Sequence, residues 1–224
     1  TRRDVCVMSD GAAVCILASE NGLRKLEKAG AKNFPRVKVL GIGRGSDAMR
    51  MADRPHADYD EFMRDYSLSY ENSSDEITSY YRGLFKKGFR YPGIHSFRGG
   101  RMAAKEAYEN CGIHNPLREL DFVELHDAYT SSEIQTYEDM GFCPYGFGGS
   151  FASSGRAFMP NINYGLTLPT QSVLPVNPSG GLLACGHPVG ATGLMQAVFA
   201  LWQLQGSIGG HFRDSTLQIC DASR

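Results

Sequence analysis

A layered α/β sandwich is the fold class that the sequence predicts, and two observations predict it. Short apolar runs of strand length alternate with longer stretches of helical periodicity, which is the pattern of helices packed over a sheet. The 224 residues also suffice for one sizeable core or two small ones. Ala12 to Ala18 is a continuous apolar run, as expected of a strand buried on both faces. Glu20 to Ala29 follows as a helix with Leu23 and Leu26 on one face and charge elsewhere. Pro35 ends the connection, and Val37 to Ile42 reads as the next strand.

Between Gly43 and Ile94 the alternation fails. The stretch is rich in Asp, Arg, Tyr and Ser and contains a helix-like run from Ser74 to Phe85. It is expected to be a helical insertion with loops near a substrate entrance. Regularity returns at Arg98 to Cys111, where Met102, Ala103 and Ala107 keep helical spacing and Gly112 is a stop. Phe122 to His126 reads as a strand that delivers His126 and Asp127 at its C-terminal end. Thr130 or Ser131 can cap the next helix, along which Glu133 and Glu138 lie. Glycine, serine and aromatic content from Phe142 to Gly155 predicts a mobile loop. Phe158 to Pro175 is polar, irregular and longer than a usual connection, so it reads as functional or insertional. An apolar helix is predicted over Thr192 to Gln205 through Leu194, Val198, Leu201 and Leu204, and a last strand over Thr216 to Cys220.

Composition narrows the function. A net charge of −1 gives no argument for nucleic acid or an anionic membrane surface as a partner. No apolar run approaches the roughly 20 residues that span a bilayer, and no signal-peptide pattern is present. The six cysteines (6, 15, 111, 143, 185 and 220) have no CxxC pair or Cys/His spacing suited to zinc. They read as reduced, mostly buried thiols of a cytosolic enzyme, and no metal site is expected.

The chemistry concentrates in Asn177-Pro-Ser-Gly-Gly-Leu-Leu-Ala-Cys-Gly-His-Pro-Val-Gly-Ala-Thr-Gly193. Here His187 stands on a glycine-rich loop that runs into an apolar helix, and Pro188 fixes the backbone after it. Glycine lets backbone pass close to a ligand, and an imidazole so held suits general acid–base work at neutral pH. By residue types alone, a glycine-rich turn with a surface histidine is an equal reading.

The string from Gly180 to Gly193 resembles the GGxxAxGHPxGxxG signature of thiolases. Val123-Glu-Leu-His-Asp-Ala-Tyr129 resembles the HDxF form of sterol-carrier-protein-x-type thiolases, where most thiolases carry Asn-Glu-Ala-Phe. Ser9-Asp-Gly-Ala-Ala13 resembles the SDGAAA segment near the end of the family's N-terminal half. Three motifs in the family's order cover nearly the whole chain. The resemblance implies a thiolase-like α-β-α sandwich with a mixed five-stranded sheet. Residues 1–36 would be the end of the N-terminal half. Residues 37–224 would be the C-terminal half, with an insertion at about 43–95 and a truncated C-terminus. The family's nucleophilic cysteine would lie in the preceding half, outside these residues, so the chain is expected to be inactive alone.

The same resemblance implies the site. His187 would take the proton of the nucleophilic cysteine and help hold a thioester oxygen; a thiolate is the reactive species and a nearby imidazole generates it. His126 stands where other thiolases use Asn to fix an oxyanion-hole water, and a neutral imidazole can donate one hydrogen bond in that role. Gly186, Pro188, Tyr129, Ser179 and Gly180 are the expected substrate-binding residues. Tyr129 replaces the usual Phe, and its phenol either bonds a neighbour or serves acid–base chemistry. Cys185 reads as a small buried side chain. Cys220 is a candidate second catalytic cysteine, although Asp221-Ala-Ser-Arg224 follows it instead of the family's glycines.

The function so implied is an acyl-CoA acyltransferase, with a coenzyme A thioester as substrate and no permanently bound cofactor. A homodimer or higher oligomer is expected, with a small OB-fold partner subunit if the lineage is the phloroglucinol-acetylating type. The location would be cytoplasmic, or peroxisomal in a eukaryote. The alternatives are a thiolase-like retro-aldolase acting on a CoA thioester, and a non-catalytic scaffold subunit. Aldolase lineages are expected to lose the Gly-His-Pro histidine, which this chain keeps.

Overall fold

Helix signals in the sequence correspond closely to helices in the computed structural model, which describes residues 1–32, 36–66, 75–93, 96–160, 162, 165–167 and 172–211. The first helix, α1, spans Glu20–Lys28; Ser19 caps it, its hydroxyl accepting from the Gly22 N–H at 3.1 Å. The insertion contributes α2 (Tyr59–Tyr66) and α3 (Asp75–Lys86). Next comes α4 (Arg98–Cys111), ended by Gly112 in the left-handed region at φ +73°. A short α5 (Pro116–Glu119) follows, opened by proline at its first position. Helix α6 (Thr130–Asp139) begins at Thr130, but Ser132 supplies the cap: its hydroxyl accepts from the Tyr129 N–H at 3.1 Å. The remaining helices are α7 (Gly148–Ser153), α8 (Gly181–Cys185), α9 (Thr192–Leu204) and α10 (Ile208–His211). Ser74 and the strand predicted at Thr216 to Cys220 lie outside the described residues.

The predicted strands differ more. Among the described residues, extended segments meet at four isolated bridges: Val5 with Tyr129, Met8 with His187, Ala57 with Tyr91 and Val123 with Val176. Ala12 to Ala18 is extended but not buried on both faces, since Val14, Ile16 and Leu17 are 80%, 90% and 84% exposed. A buried parallel strand needs neighbours on both edges and helices on both faces. No other described segment supplies a ladder to this one.

Residues 41–45 dock instead on a helix. Alternate residues of an extended chain rise by roughly 6.6 Å, close to the roughly 6 Å of four helical residues. Gly41, Gly43 and Gly45 therefore step in register along Ala107, Ala103 and Gly99 of α4. A Cβ on Gly43 would stand 1.8 Å from the Ala103 carbonyl oxygen, and one on Gly45 1.9 Å from that of Gly99. The Asn110 amide donates to Ile42 O at 2.8 Å, and the Arg44 N–H donates to the Glu106 carboxylate at 2.8 Å, which ties both ends. Gly43→Ala is expected to detach residues 40–46 from α4, read as faster amide exchange in that stretch with protection of α6 retained.

Two apolar clusters carry the fold. The first joins Leu117, Val123, Leu125, Tyr137, Phe142, Phe151, Leu174 and Val176, so it lies under the segment that ends in His126. The second is the insertion's own, with Phe62, Tyr81 and Tyr91 packed on Tyr145. Phe142 to Gly155 is consequently not a mobile loop: it contains α7 and buries Phe142, Cys143, Tyr145 and Phe151. Its aromatics are core residues shared between the two clusters. Polar contacts tie α4 to α6, where the Phe97 N–H donates to Asp139 at 2.7 Å and the Tyr108 hydroxyl to Met140 O at 3.0 Å. No helix among the described residues is long and apolar enough to cross a membrane.

Candidate active site

Three stretches distant in sequence meet at His187. The His187 N–H donates to Val7 O at 2.8 Å, the Ser9 N–H donates to His187 O at 3.4 Å, and the Cys6 N–H donates to Ala128 O at 3.0 Å. Residues 5–9 thus run between the 126–129 turn and the Gly-His-Pro loop. Close approach is what the glycines permit: Gly186 takes φ +83°, and a Cβ there would stand 2.7 Å from Ser9 Oγ. A Cβ on Gly11 would stand 3.0 Å from the Pro188 ring.

The convergence pairs the two predicted histidines. The rings of His126 and His187 meet edge to face, with centroids 4.8 Å apart at 77°. Partial burial and then the nearby His187 hold His126 below the ordinary imidazole range, with Asp127 pulling the other way. In its neutral form, which this shift favours, His126 keeps one N–H to donate.

The tautomer of His187 follows from a proton count. His187 Nδ1 lies 2.7 Å from Thr192 Oγ1, and that hydroxyl donates its single proton to Pro188 O at 3.1 Å. With the hydroxyl proton directed to Pro188 O, we assign the hydrogen between the two side chains to Nδ1 from this hydrogen-bond pattern. Nε2 then has the free lone pair, and among the described residues nothing hydrogen-bonds to it. The site can accept a proton at Nε2 of His187 and donate a hydrogen bond from His126.

The strand-like segment before His126 anchors the loop before His187. Asn177, in the left-handed region at φ 49°, accepts from the Leu125 N–H at 2.7 Å through its side-chain oxygen. Glu124 accepts from the Ser179 N–H at 3.0 Å and from its hydroxyl at 2.8 Å. Asp127 accepts from the Leu182 N–H at 2.7 Å. Of the predicted substrate-binding residues, Gly186 and Pro188 flank His187, and Gly180 is exposed. Ser179 is buried with its hydroxyl committed to Glu124, and Tyr129 is 53% exposed. Ser179 and Gly180 border a cavity of about 290 Å³ shared with Glu133, Tyr137 and Pro178. A larger cleft of about 730 Å³ lies between α3 and α7, lined by Ile77, Tyr80, Phe147 and Arg156 among others. Neither histidine lines it.

Cys185 is exposed, with its thiol turned to Ser179 O at 3.5 Å. Partial burial, then Glu124 and Asp127, push that thiol up from its ordinary value, opposite to what an activated nucleophile needs. Cys220 lies outside the described residues. Glu124, Asn177 and Thr192 were not singled out from sequence. Thr192 had a signal, a hydroxyl five residues after the histidine at the start of a helix. Glu124 and Asn177 had none, since their partners are 50 or more residues away.

Burial lifts the Glu124 carboxyl to about 7, against the Ser179 hydrogen bonds, with Asp127 adding to the rise. Its folded value exceeds its unfolded one, so the stabilisation is full below about pH 4.5 and lost as pH rises to 7, by about 3 kcal/mol. Burial raises Asp139 to about 7 as well, countered by Phe97 and Arg101. Glu124→Gln is expected to flatten this pH dependence and stabilise the protein at pH 8 relative to the parent, with a slope from Asp139 remaining. Urea midpoints at pH 5 and 8 check it; equal losses in parent and variant would overturn the assignment.

The architecture is that of the thiolase-like fold. A solved structure titled "Ltp2-ChsH2(DUF35) aldolase" superposes with a TM-score of 0.51 over 87% of this chain and 36% of that one, at 20% identity. The chain belongs to the thiolase C-terminal domain-like family, which matches residues 90–220. It is 32% identical over 204 residues to sterol carrier protein 2 of Oryctolagus cuniculus, covering 91% of this chain and 28% of that protein. It is 45% identical over 91 residues to an acetyl-CoA acetyltransferase of Methanothermobacter thermautotrophicus, covering 41% of this chain and 21% of that protein. The chain thus spans about a quarter of the length of these curated relatives.

Proposed function

We propose that this chain supplies the two-histidine side of a coenzyme A thioester site, in which an acyl group passes through a cysteine outside residues 1–224. The observation that carries the reading is the His126–His187 pair with Nε2 of His187 free. Nε2 takes the proton of the cysteine thiol, and the thiolate attacks the thioester carbonyl. His126 donates to the oxygen as it gains charge. When the carbonyl re-forms, the C–S bond to coenzyme A breaks, and the leaving thiolate recovers the proton from His187. The acyl-cysteine then meets an acceptor.

Family membership and the acetyl-CoA acetyltransferase relative support this reading. Residues 1–36 close the N-terminal half and 37–224 form the C-terminal half, whose mixed five-stranded sheet is completed by the rest of the protein. An oligomer, alone or with a small OB-fold subunit as in the phloroglucinol-acetylating lineage, houses the site in the cytoplasm, or in peroxisomes of a eukaryote. The retro-aldolase alternative is disfavoured by the retained His187, and the scaffold alternative by the pairing of His187 with His126.

The complete protein incubated with acetyl-CoA or a 3-ketoacyl-CoA is expected to release coenzyme A and to show an acyl-cysteine mass. Release of an aldehyde or ketone from a β-hydroxyacyl-CoA, without acyl transfer, would establish the aldolase reading instead. Absence of any thioester turnover would leave the scaffold.

A further inference from the structure

We infer that Asp127 is a positioning residue for the histidine pair, its carboxylate holding the backbone that leads into His187 against the segment that carries His126. The inference rests on the catalytic reading above. Asp127 directly follows His126 and is 2% exposed. One carboxylate oxygen accepts from the Leu182 N–H at 2.7 Å and the other from the Leu183 N–H at 3.4 Å. Both donors belong to the first turn of α8, where backbone N–H groups have no partner within the helix.

The fit is close. Gly181 takes φ +65°, and a Cβ there would stand 2.2 Å from Asp127 Oδ2, so only glycine leaves room for the carboxylate. From that contact to His187 the chain has little slack. The Gly186 N–H closes back on Leu182 O at 2.9 Å, and the His187 N–H on Val7 O at 2.8 Å. A shift of Leu182 is therefore passed to His187. Asn177 and Glu124 hold only the upstream stretch, at Leu125 and Ser179. Asp127 is the side chain of this segment that grips the loop beyond Ser179. Its charge also supports His126, which it draws upward against the neighbouring His187.

The coupling between the two imidazoles measures their separation, because like-charge repulsion falls with distance. The pKa of His126 is read by NMR titration of the protein, its signal assigned by His126→Asn. In the parent, His187→Asn is expected to raise it. In an Asp127→Asn background the same substitution is expected to raise it by less than half as much. A purely structural cap would lower the melting temperature and leave this difference unchanged, and an undiminished difference overturns the proposal. If Asp127→Asn does not fold, Gly181→Ala reads the same quantity, displacing the carboxylate while keeping its charge. A parent whose His126 ignores His187→Asn overturns the pair itself. Coupling that depends on Asp127 in a protein without thioester turnover overturns only the catalytic reading.

Discussion

Replacing His187 with alanine in the complete protein is expected to lower acyl transfer from a CoA thioester by about 10²–10⁴-fold, the range that general acid–base catalysis supplies. The argument rests on one lone pair. With the proton of His187 assigned to Nδ1 from its contact with Thr192, Nε2 is free to take a thiol proton. The loss should fall on kcat, with KM little changed, because the interaction is made in the transition state. Thr192→Val keeps the shape but removes the hydroxyl that selects the tautomer, and is expected to cost about tenfold or less, one hydrogen bond's worth. Steady-state rates with a CoA thioester check both. A His187→Ala protein that retains nearly full rate overturns the assignment.

Phe62→Ala is expected to destabilise the insertion by about 3–5 kcal/mol, the usual cost of removing a buried aromatic ring. Phe62 is fully buried, and its ring meets Tyr81 at 5.0 Å, Tyr91 at 5.1 Å and Phe85 at 5.3 Å between centroids. All three are edge-on or tilted contacts, which add to the area term. Truncation leaves the neighbouring rings facing a void that helices α2 and α3 must close around. Phe62→Leu, which fills part of that volume, should cost less. Urea unfolding followed by tyrosine fluorescence reads the difference. Equal stability of parent and Phe62→Ala would show that the insertion's cluster contributes nothing to folding.

Helices were the most legible part of the fold, because their signals are local. The Ser19 cap, the Gly112 stop and the apolar spacing of Thr192 to Gln205 each act within a turn or two of the residues they organise. Strand signals were poorer guides. An apolar run such as Ala12 to Ala18 reports a wish to be buried, while a ladder also depends on a partner segment. The stretch Phe142 to Gly155 departs from its sequence expectation for a related reason: its glycine and serine content predicts mobility, while the aromatics between them seek burial. Here Phe142, Tyr145 and Phe151 are buried.

For the site, residue types alone left His187 open to a surface-turn reading, and it was the resemblance of the Gly180–Gly193 and Val123–Tyr129 motifs to thiolases that singled out His187 and His126. That is possible because a glycine-rich loop and a strand-end histidine are written in contiguous residues. Sequence could not say that the two rings stand 4.8 Å apart or that Asp127 grips Leu182. Those facts depend on backbone segments 50 or more residues apart reaching hydrogen-bond distance, which packing alone decides.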